Sequence, residues 1–381
     1  MKIAWVIERM DTARGGRETS TAQVVEALAS QGHDVTILCQ SGSWAHPGVQ
    51  VKSLGARGRF RHQRAMSFSA DVRAMAATMG FDIVHAVTPV MGANVYQPRG
   101  GTIPGQRLAS ARRRRSTRLH SMLEPMNLCR RVMSSLERQI VGDPRVKCLA
   151  VSEMIAEEFR RFYSRSQGVS VIYNAVCKGD VNLREQWRDE YRRRLGVGDD
   201  TTVFVTAATN FELKGIPQAL NHFAAWRAGV GKGKDAKFVA IGADPGRGII
   251  RLVRRLGILD DVAFFPRVDS MFPWYSAGDV CVLLSWYDPC SRVVLEAIRW
   301  GLPAITTAYN GAAETLARGG GIVVSSPDDP TVVDAFEELS DPATRARCAQ
   351  VCERVENKLS LDQHVENLLG AYAELMRCAR R

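Results

Sequence analysis

"VCVLLSWYDPCSRVVLEAIRWGLPAITTA", residues 280–308, decides the architecture. The apolar run 280–285 reads as a strand. In the loop "WYDPC" that follows, Pro289 keeps Asp288 out of helical conformation. Ser291 is placed to cap a helix that runs through Glu296 to Trp300, and "GLP" ends it. "PAITTA" is the next strand. Strand, loop, helix and strand in that order make the repeating unit of a parallel α/β sheet.

The same rhythm extends in both directions. Downstream of residue 201 it runs through "TVFVTAAT", a helix from about Pro217, "KFVAIGA", helix "GIIRLVRRLG", "VAFFPRV" and helix "MFPWYSAGD", and beyond the opening stretch it ends in "GIVVS". Near the start, "KIAWVIE", a loop with Gly15 and Gly16, the helix "ETSTAQVVEALASQG" and "HDVTILCQ" form another such unit. "FDIVHAVTP", "VKCLAVS" and "VSVIYNAV" continue it, and Ser152 is placed to cap "EMIAEEFRRFYS". Between the two series, "KGDVNLREQWRDEYRRRLGVGDDT" is highly charged and reads as a passage between domains. The sequence therefore predicts two doubly wound α/β domains: residues 1–178, a linker 179–200 and residues 201–359. An amphipathic helix at about 360–381 is expected to pack back on the first. Ligands of such sheets bind beyond the carboxyl ends of the strands, so two domains facing each other predict a central cleft.

A length of 381 residues, 45% hydrophobic and 24% charged, fits two soluble globular domains. Nine cysteines without a CxxC pair point to reduced thiols in a cytosol rather than to zinc. "MKIAWVIERM" reads as a strand, not a signal peptide, and no stretch reaches the roughly 18 apolar residues that span a bilayer. There is no phosphate loop of the G-x-x-x-x-G-K-[ST] kind, no G-x-G-x-x-G after the first strand, no H-E-x-x-H and no G-x-S-x-G.

Two carboxylates, Asp288 and Glu296, flank an apolar helix start, where they cost free energy unless something uses them. The first-turn amides, about 291–294, lack intrahelical acceptors and suit a phosphate or diphosphate. Acceptor-only carboxylates on both sides of an anion hole suit a ligand with hydroxyls on both sides of a diphosphate, the layout of a nucleotide-sugar. Taken singly, Asp288 also fits a turn start before Pro289, and Glu296 a half-exposed helix position.

"YDPCSRVVLEAIRWGLPAITTAYNGAAE" resembles the signature of the retaining glycosyltransferases of family four, which have the GT-B fold. The likeness is greatest to their lipopolysaccharide core glucosyltransferase branch. It extends over "DIVHAVTP", "AVSEMIAEEF", "VIYNAV" and "ATNFELKGIPQAL". The resemblance implies that Asp288 contacts the donor sugar and Glu296 the ribose. Around the diphosphate it places the amides of Ser291 and Arg292, with Lys214 as the cation; Cys290 is expected among the donor-binding residues. Lys214 offsets charge on the leaving group, so no metal or other cofactor is implied. Gly15, Gly16 and Arg17 are expected to approach the phosphates from the first domain, and Asn210 completes the donor set. Three positions depart from the family pattern: Asp288 replaces a Glu, Asn210 stands about where many members have an Arg, and Val87 stands where many have a His. His85 reads as a core residue. The resemblance implies front-face displacement with retention, the leaving phosphate oxygen taking the acceptor's proton. A nucleotide-sugar epimerase and a non-catalytic basic scaffold are the alternatives.

The net charge is +11, and residues 99–138 hold ten Arg against Glu124 and Glu137. At the centre lie Arg112, Arg113, Arg114, Arg115 and Arg118, interleaved downstream with Leu and Met. Such basic amphipathic segments lie in the headgroup plane of anionic membranes. Aromatic residues are missing from the arm, which disfavours nucleic acid. Together these features predict a cytoplasmic protein, peripheral on the inner face of the cell membrane. The family resemblance implies that it moves a hexose, glucose, from a UDP-sugar to a lipid-linked or polysaccharide acceptor.

Overall fold

The structure, a computed structural model, describes residues 1–13, 15–113, 127–316, 319–355 and 359–379. Two compact units divide the chain: Met1–Ala175 with Leu361–Arg381, and Val176–Ser360.

The strands of the first unit are β1 (Lys2–Val6), β2 (Arg9–Met10), β3 (Asp34–Cys39), β4 (Ser41–Gly42), β5 (Val49–Ser53), β6 (Ile83–Ala86), β7 (Val95–Tyr96), β8 (Lys147–Ala150) and β9 (Val169–Val171). Seven of them make a sheet in the order β5-β3-β1-β6-β7-β8-β9, parallel at every pairing. Ile3, Ala4, Trp5 and Val6 are wholly buried, as a central strand covered on both faces requires. β2 and β4 pair separately, and a Cβ at Gly42 would lie 2.7 Å from Met10 O, so glycine is what lets the two segments meet. Its helices among the described residues include α1 (Gly16–Ser30), α2 (Arg61–Met79), α3 (Ile103–Arg113), α4 (Leu128–Gly142) and α5 (Glu153–Tyr163). Ser152 caps α5, its Oγ accepting from Ile155 N at 3.3 Å. The terminal helix Leu361–Ala379 buries Val365, Leu368, Ala371 and Tyr372 in the same core as Trp5, Ile37 and Leu149.

His85 is wholly buried, stacked on Trp5 at 4.0 Å, with Nδ1 2.7 Å from Tyr372 Oη. His364 Nδ1 lies 2.7 Å from Tyr173 O and must donate to it, which leaves Nε2 to accept from Arg99 Nη2 at 3.3 Å. That arrangement fixes one neutral tautomer.

The second unit holds β10 (Thr202–Ala208), β11 (Ala236–Gly242), β12 (Val262–Pro266), β13 (Val280–Leu283), β14 (Ala304–Thr307) and β15 (Gly321–Val324). Their order is β12-β11-β10-β13-β14-β15, again all parallel. Its helices include α6 (Arg184–Leu195), α7 (Ile216–Ala228), α8 (Gly246–Leu256), α9 (Phe272–Ala277) and α10 (Arg292–Arg299). Phe204, Phe223, Trp226 and Phe336 meet ring to ring under one face. Both sheets are doubly wound, and the direction in which successive strands are added reverses between β1 and β6 in one and between β10 and β13 in the other.

Residues 179–200, expected as a linker, instead belong to the second unit. α6 is fastened there by its arginines. Arg192 Nη1 donates to Ala277 O (3.0 Å) and Asp279 Oδ2 (3.2 Å), and Arg188 Nη2 donates to Asp279 Oδ1 (3.2 Å). The sequence reading also omitted β5 and β7, which are half polar and two residues long respectively.

Candidate functional site

The switch point of the second sheet organises the site. Loop 209–215 leaves β10 and loop 284–291 leaves β13, and the two strands are neighbours. The loops are joined, Trp286 N donating to Leu213 O at 3.0 Å. A crevice opens at such a point because the chain departs to opposite faces of the sheet.

Asn210 shapes the first loop by accepting from Leu213 N through Oδ1 (3.0 Å) and from Lys214 N through its carbonyl (3.1 Å). Gly215 follows at φ +66°, and a Cβ there would lie 1.9 Å from Leu284 O. Only glycine lets the turn press against the end of β13. This contact places Lys214 beside the second loop, where Nζ donates to Asp288 Oδ2. The cation and the acid expected for different parts of a ligand thus hold each other.

Asp288, although it sits in a connecting loop, is only 7% exposed. Its backbone is pinned to the loop after β14, with Asp288 N donating to Tyr309 O (2.9 Å) and Gly311 N donating to Asp288 O (2.8 Å). Cys290, in the same loop, is buried.

Ser291 caps α10, its Oγ accepting from Val294 N at 3.5 Å. Its own amide, expected to meet a phosphate, is taken by Asn310 Oδ1 at 3.2 Å. One turn into α10, Arg292 Nη2 donates to Glu296 Oε1 (3.1 Å), an i,i+4 pair. Tyr275 Oη reaches Glu296 Oε2 at 3.3 Å and Val293 O at 3.2 Å. Burial, reinforced by the Glu296 carboxylate, raises the Tyr275 pKa well above the usual tyrosine value, so its hydroxyl stays a donor.

The second unit therefore gathers Asn210, Lys214, Asp288, Cys290, Ser291, Arg292 and Glu296 around one switch point. Tyr275 and Asn310 complete it, and sequence reasoning missed both. Asn310 stands inside the quoted signature stretch, and its fixed distance from Asp288 was the only signal available.

Gly15, Gly16 and Arg17 lie in the first unit at the start of α1. Gly15 has φ 166°, extended backbone open to any residue, and a Cβ there would have ordinary room at 3.7 Å from Glu18 Oε2. Its conformation does not call for glycine. Arg17 is paired with Glu18 at 2.8 Å. Arg112 and Arg113 form the last turn of α3, whereas Arg114, Arg115 and Arg118 lie outside the described residues.

A family model described as Glycosyltransferase Family 4 matches residues 14–178, and one described as Glycosyl transferases group 1 matches residues 199–341. An uncharacterized glycosyltransferase of Methanocaldococcus jannaschii is 26% identical over 174 residues, 44% of each chain. Lipopolysaccharide glucosyltransferase WaaG of Escherichia coli K12 is 21% identical over 319 residues, 82% of each chain. A crystal structure of WaaG shares the fold with a TM-score of 0.78 at 18% identity, covering 96% of this chain and 98% of that one. Anabaena HepE, crystallised with UDP-glucose, gives 0.71 at 16% identity, over 98% of this chain and 100% of that one. The chain thus spans less than half the length of the first of these relatives and about four fifths of the second.

Proposed function

Because the chain belongs to the family-four glycosyltransferases of GT-B fold, we propose that it moves glucose from UDP-glucose to a hydroxyl of a lipid-linked or polysaccharide acceptor, with retention. The observation that carries this reading is the meeting of Lys214 and Asp288 at the β10/β13 switch point, beside the start of α10. In the proposed complex the diphosphate draws Lys214 Nζ away from Asp288. The freed carboxylate accepts hydroxyls of the hexose, while Glu296, held by Tyr275 and Arg292, accepts from the ribose. Lys214 and the first amides of α10 then face the charge that grows on the leaving phosphate. The acceptor's proton passes to that phosphate oxygen as the new bond forms on the face the leaving group vacates. With positive charge supplied by side chain and backbone, the transfer is read as metal-independent. The glucosyltransferase name of WaaG and the UDP-glucose bound by HepE support the choice of donor.

The basic arm is proposed to hold the protein on an anionic membrane at the cytoplasmic face. Among the described residues no helix is long and apolar enough to cross a membrane. UDP release from UDP-glucose, with the product anomer read by NMR, tests the main reading. An α-linked product and dependence on both Lys214 and Asp288 are expected. UDP release that survives Asp288→Ala and Lys214→Ala defeats it, and an inverted product defeats the retaining step.

A further inference from the structure

The first unit carries a cavity of about 800 Å³ of its own, at the carboxyl ends of its strands. It opens at the switch point between β1 and β6, so the loops after both strands line it. Its charge is one-sided. Five arginines, Arg9, Arg17, Arg61, Arg64 and Arg130, line the walls, against Glu8 and Asp11. Arg17 is already paired with Glu18. Arg9 and Arg61 enter no ion pair among the described residues.

The arginines also stand where a helix resists them. Arg61 and Arg64 occupy the first turn of α2, and Arg130 that of α4, and neither first turn contains an acid. A cation at a helix N-terminus opposes the macrodipole and costs some tenths of a kcal/mol or more. One anion in the cavity reverses that cost, because it meets the guanidinium groups and the positive helix ends together. Arg61 and Arg64 are three residues apart, so they share a helix face and can fork the same group. The remaining wall is partly apolar, with Phe68, Val87 and Met133, and suits the face of a sugar ring.

We propose that this cavity receives an acceptor bearing a phosphate monoester, clamped by Arg61 and Arg64 of α2 with Arg130 of α4. The inference rests on the glycosyltransferase reading for the word acceptor, but the anion site stands or falls on its own. A phosphate monoester carries close to two charges and three acceptor oxygens, which matches several guanidinium forks better than a neutral hydroxyl or a single carboxylate does. An uncharged sugar offers the Arg61 and Arg64 guanidinium groups no charge to meet.

Equilibrium titration of the full chain tests this. Glucose 6-phosphate is expected to bind, glucose at the same concentrations is not, and inorganic phosphate is expected to compete with the former. Arg61→Gln/Arg64→Gln should weaken glucose 6-phosphate at least about tenfold, and Arg61→Lys/Arg64→Lys should fall between, since charge stays and the fork is lost. Circular dichroism and the melting temperature check that the variants fold, and the lysine pair keeps the test open if the glutamine pair does not. Flotation with phosphatidic acid vesicles, against phosphatidylcholine vesicles, separates a lipid source of the phosphate from a soluble one. Loss of either binding in the glutamine variant supports the clamp. Equal affinity for glucose and glucose 6-phosphate, or unchanged affinity in the glutamine variant, overturns it. UDP-glucose binding to the wild-type chain is measured in parallel. Binding of UDP-glucose with neither glucose 6-phosphate nor phosphatidic acid bound sinks this inference alone, and the converse sinks the donor reading and leaves the anion site standing.

Discussion

Lys214 Nζ donates to Asp288 Oδ2, so an ion pair occupies the point where two neighbouring strands of the second sheet release their chains. In the proposed complex, a ligand with both a diphosphate and hydroxyls separates the two partners. Lys214→Ala is expected to lower kcat by about 100-fold or more, the usual scale for removing a group that faces developing negative charge. Lys214→Arg should recover only part, because a planar fork replaces a point charge. A wild-type kcat in Lys214→Ala removes Lys214 from the reaction.

Tyr275→Phe deletes a hydroxyl that steadies Glu296 without touching the proposed sugar or phosphate contacts. The expected result is a donor KM several-fold higher at nearly constant kcat, with a stability loss of about 1 kcal/mol for the hydrogen bond. Because this tyrosine stays protonated well beyond pH 10, the ratio of mutant to wild-type KM should not change between pH 7 and 9. Steady-state kinetics at three pH values decide it.

Gly215→Ala sets a methyl group against Leu284 O and forces a left-handed φ on alanine. Destabilisation of more than about 1 kcal/mol is expected, together with lower activity, since the same turn carries Lys214. Urea unfolding measures the first and UDP release the second. A variant as stable as wild type shows that the turn can move away from β13.

Acid should weaken the first unit before its carboxylates titrate. Burial, with Arg99 alongside, lowers the His364 pKa to about 3, and burial holds His85 well below the usual histidine value. Unfolded histidines titrate near 6.5. Below pH 6.5 the unfolded chain therefore binds more protons than the folded one. The stability these neutral rings contribute is complete above that pH and falls as pH drops, by up to about 1.4 kcal/mol per unit for each ring. Urea midpoints at pH 7.5, 6 and 5 should decline, and His364→Gln should flatten the decline. A midpoint constant from pH 7.5 to 5 refutes this account.

Much of this was legible beforehand, for local reasons. β10 and β13 announce themselves as short apolar runs, and Ser291 as a cap, because strand burial and capping depend on near neighbours in sequence. What escaped depends on distant ones. The Ser291 amide is claimed by Asn310 from the loop after the next strand, and Asp288 is drawn inward by Lys214 from seventy-four positions away. The charged stretch 179–200 looked like a linker because arginine is usually solvated. Arg192 is instead 3% exposed, its Nη2 donating to Thr201 O at 2.6 Å. The polarity was visible, but its partners were not.

The terminal helix that fills the first core has a consequence for biosynthesis. Residues 1–175 leave the ribosome without Val365, Leu368 and Tyr372, and must wait for the whole of 176–360 to be translated before that core can close. At about 5–20 residues per second the delay is on the order of tens of seconds. Meanwhile the second unit, contiguous in sequence, can complete itself, so the half of the protein made first is the half finished last.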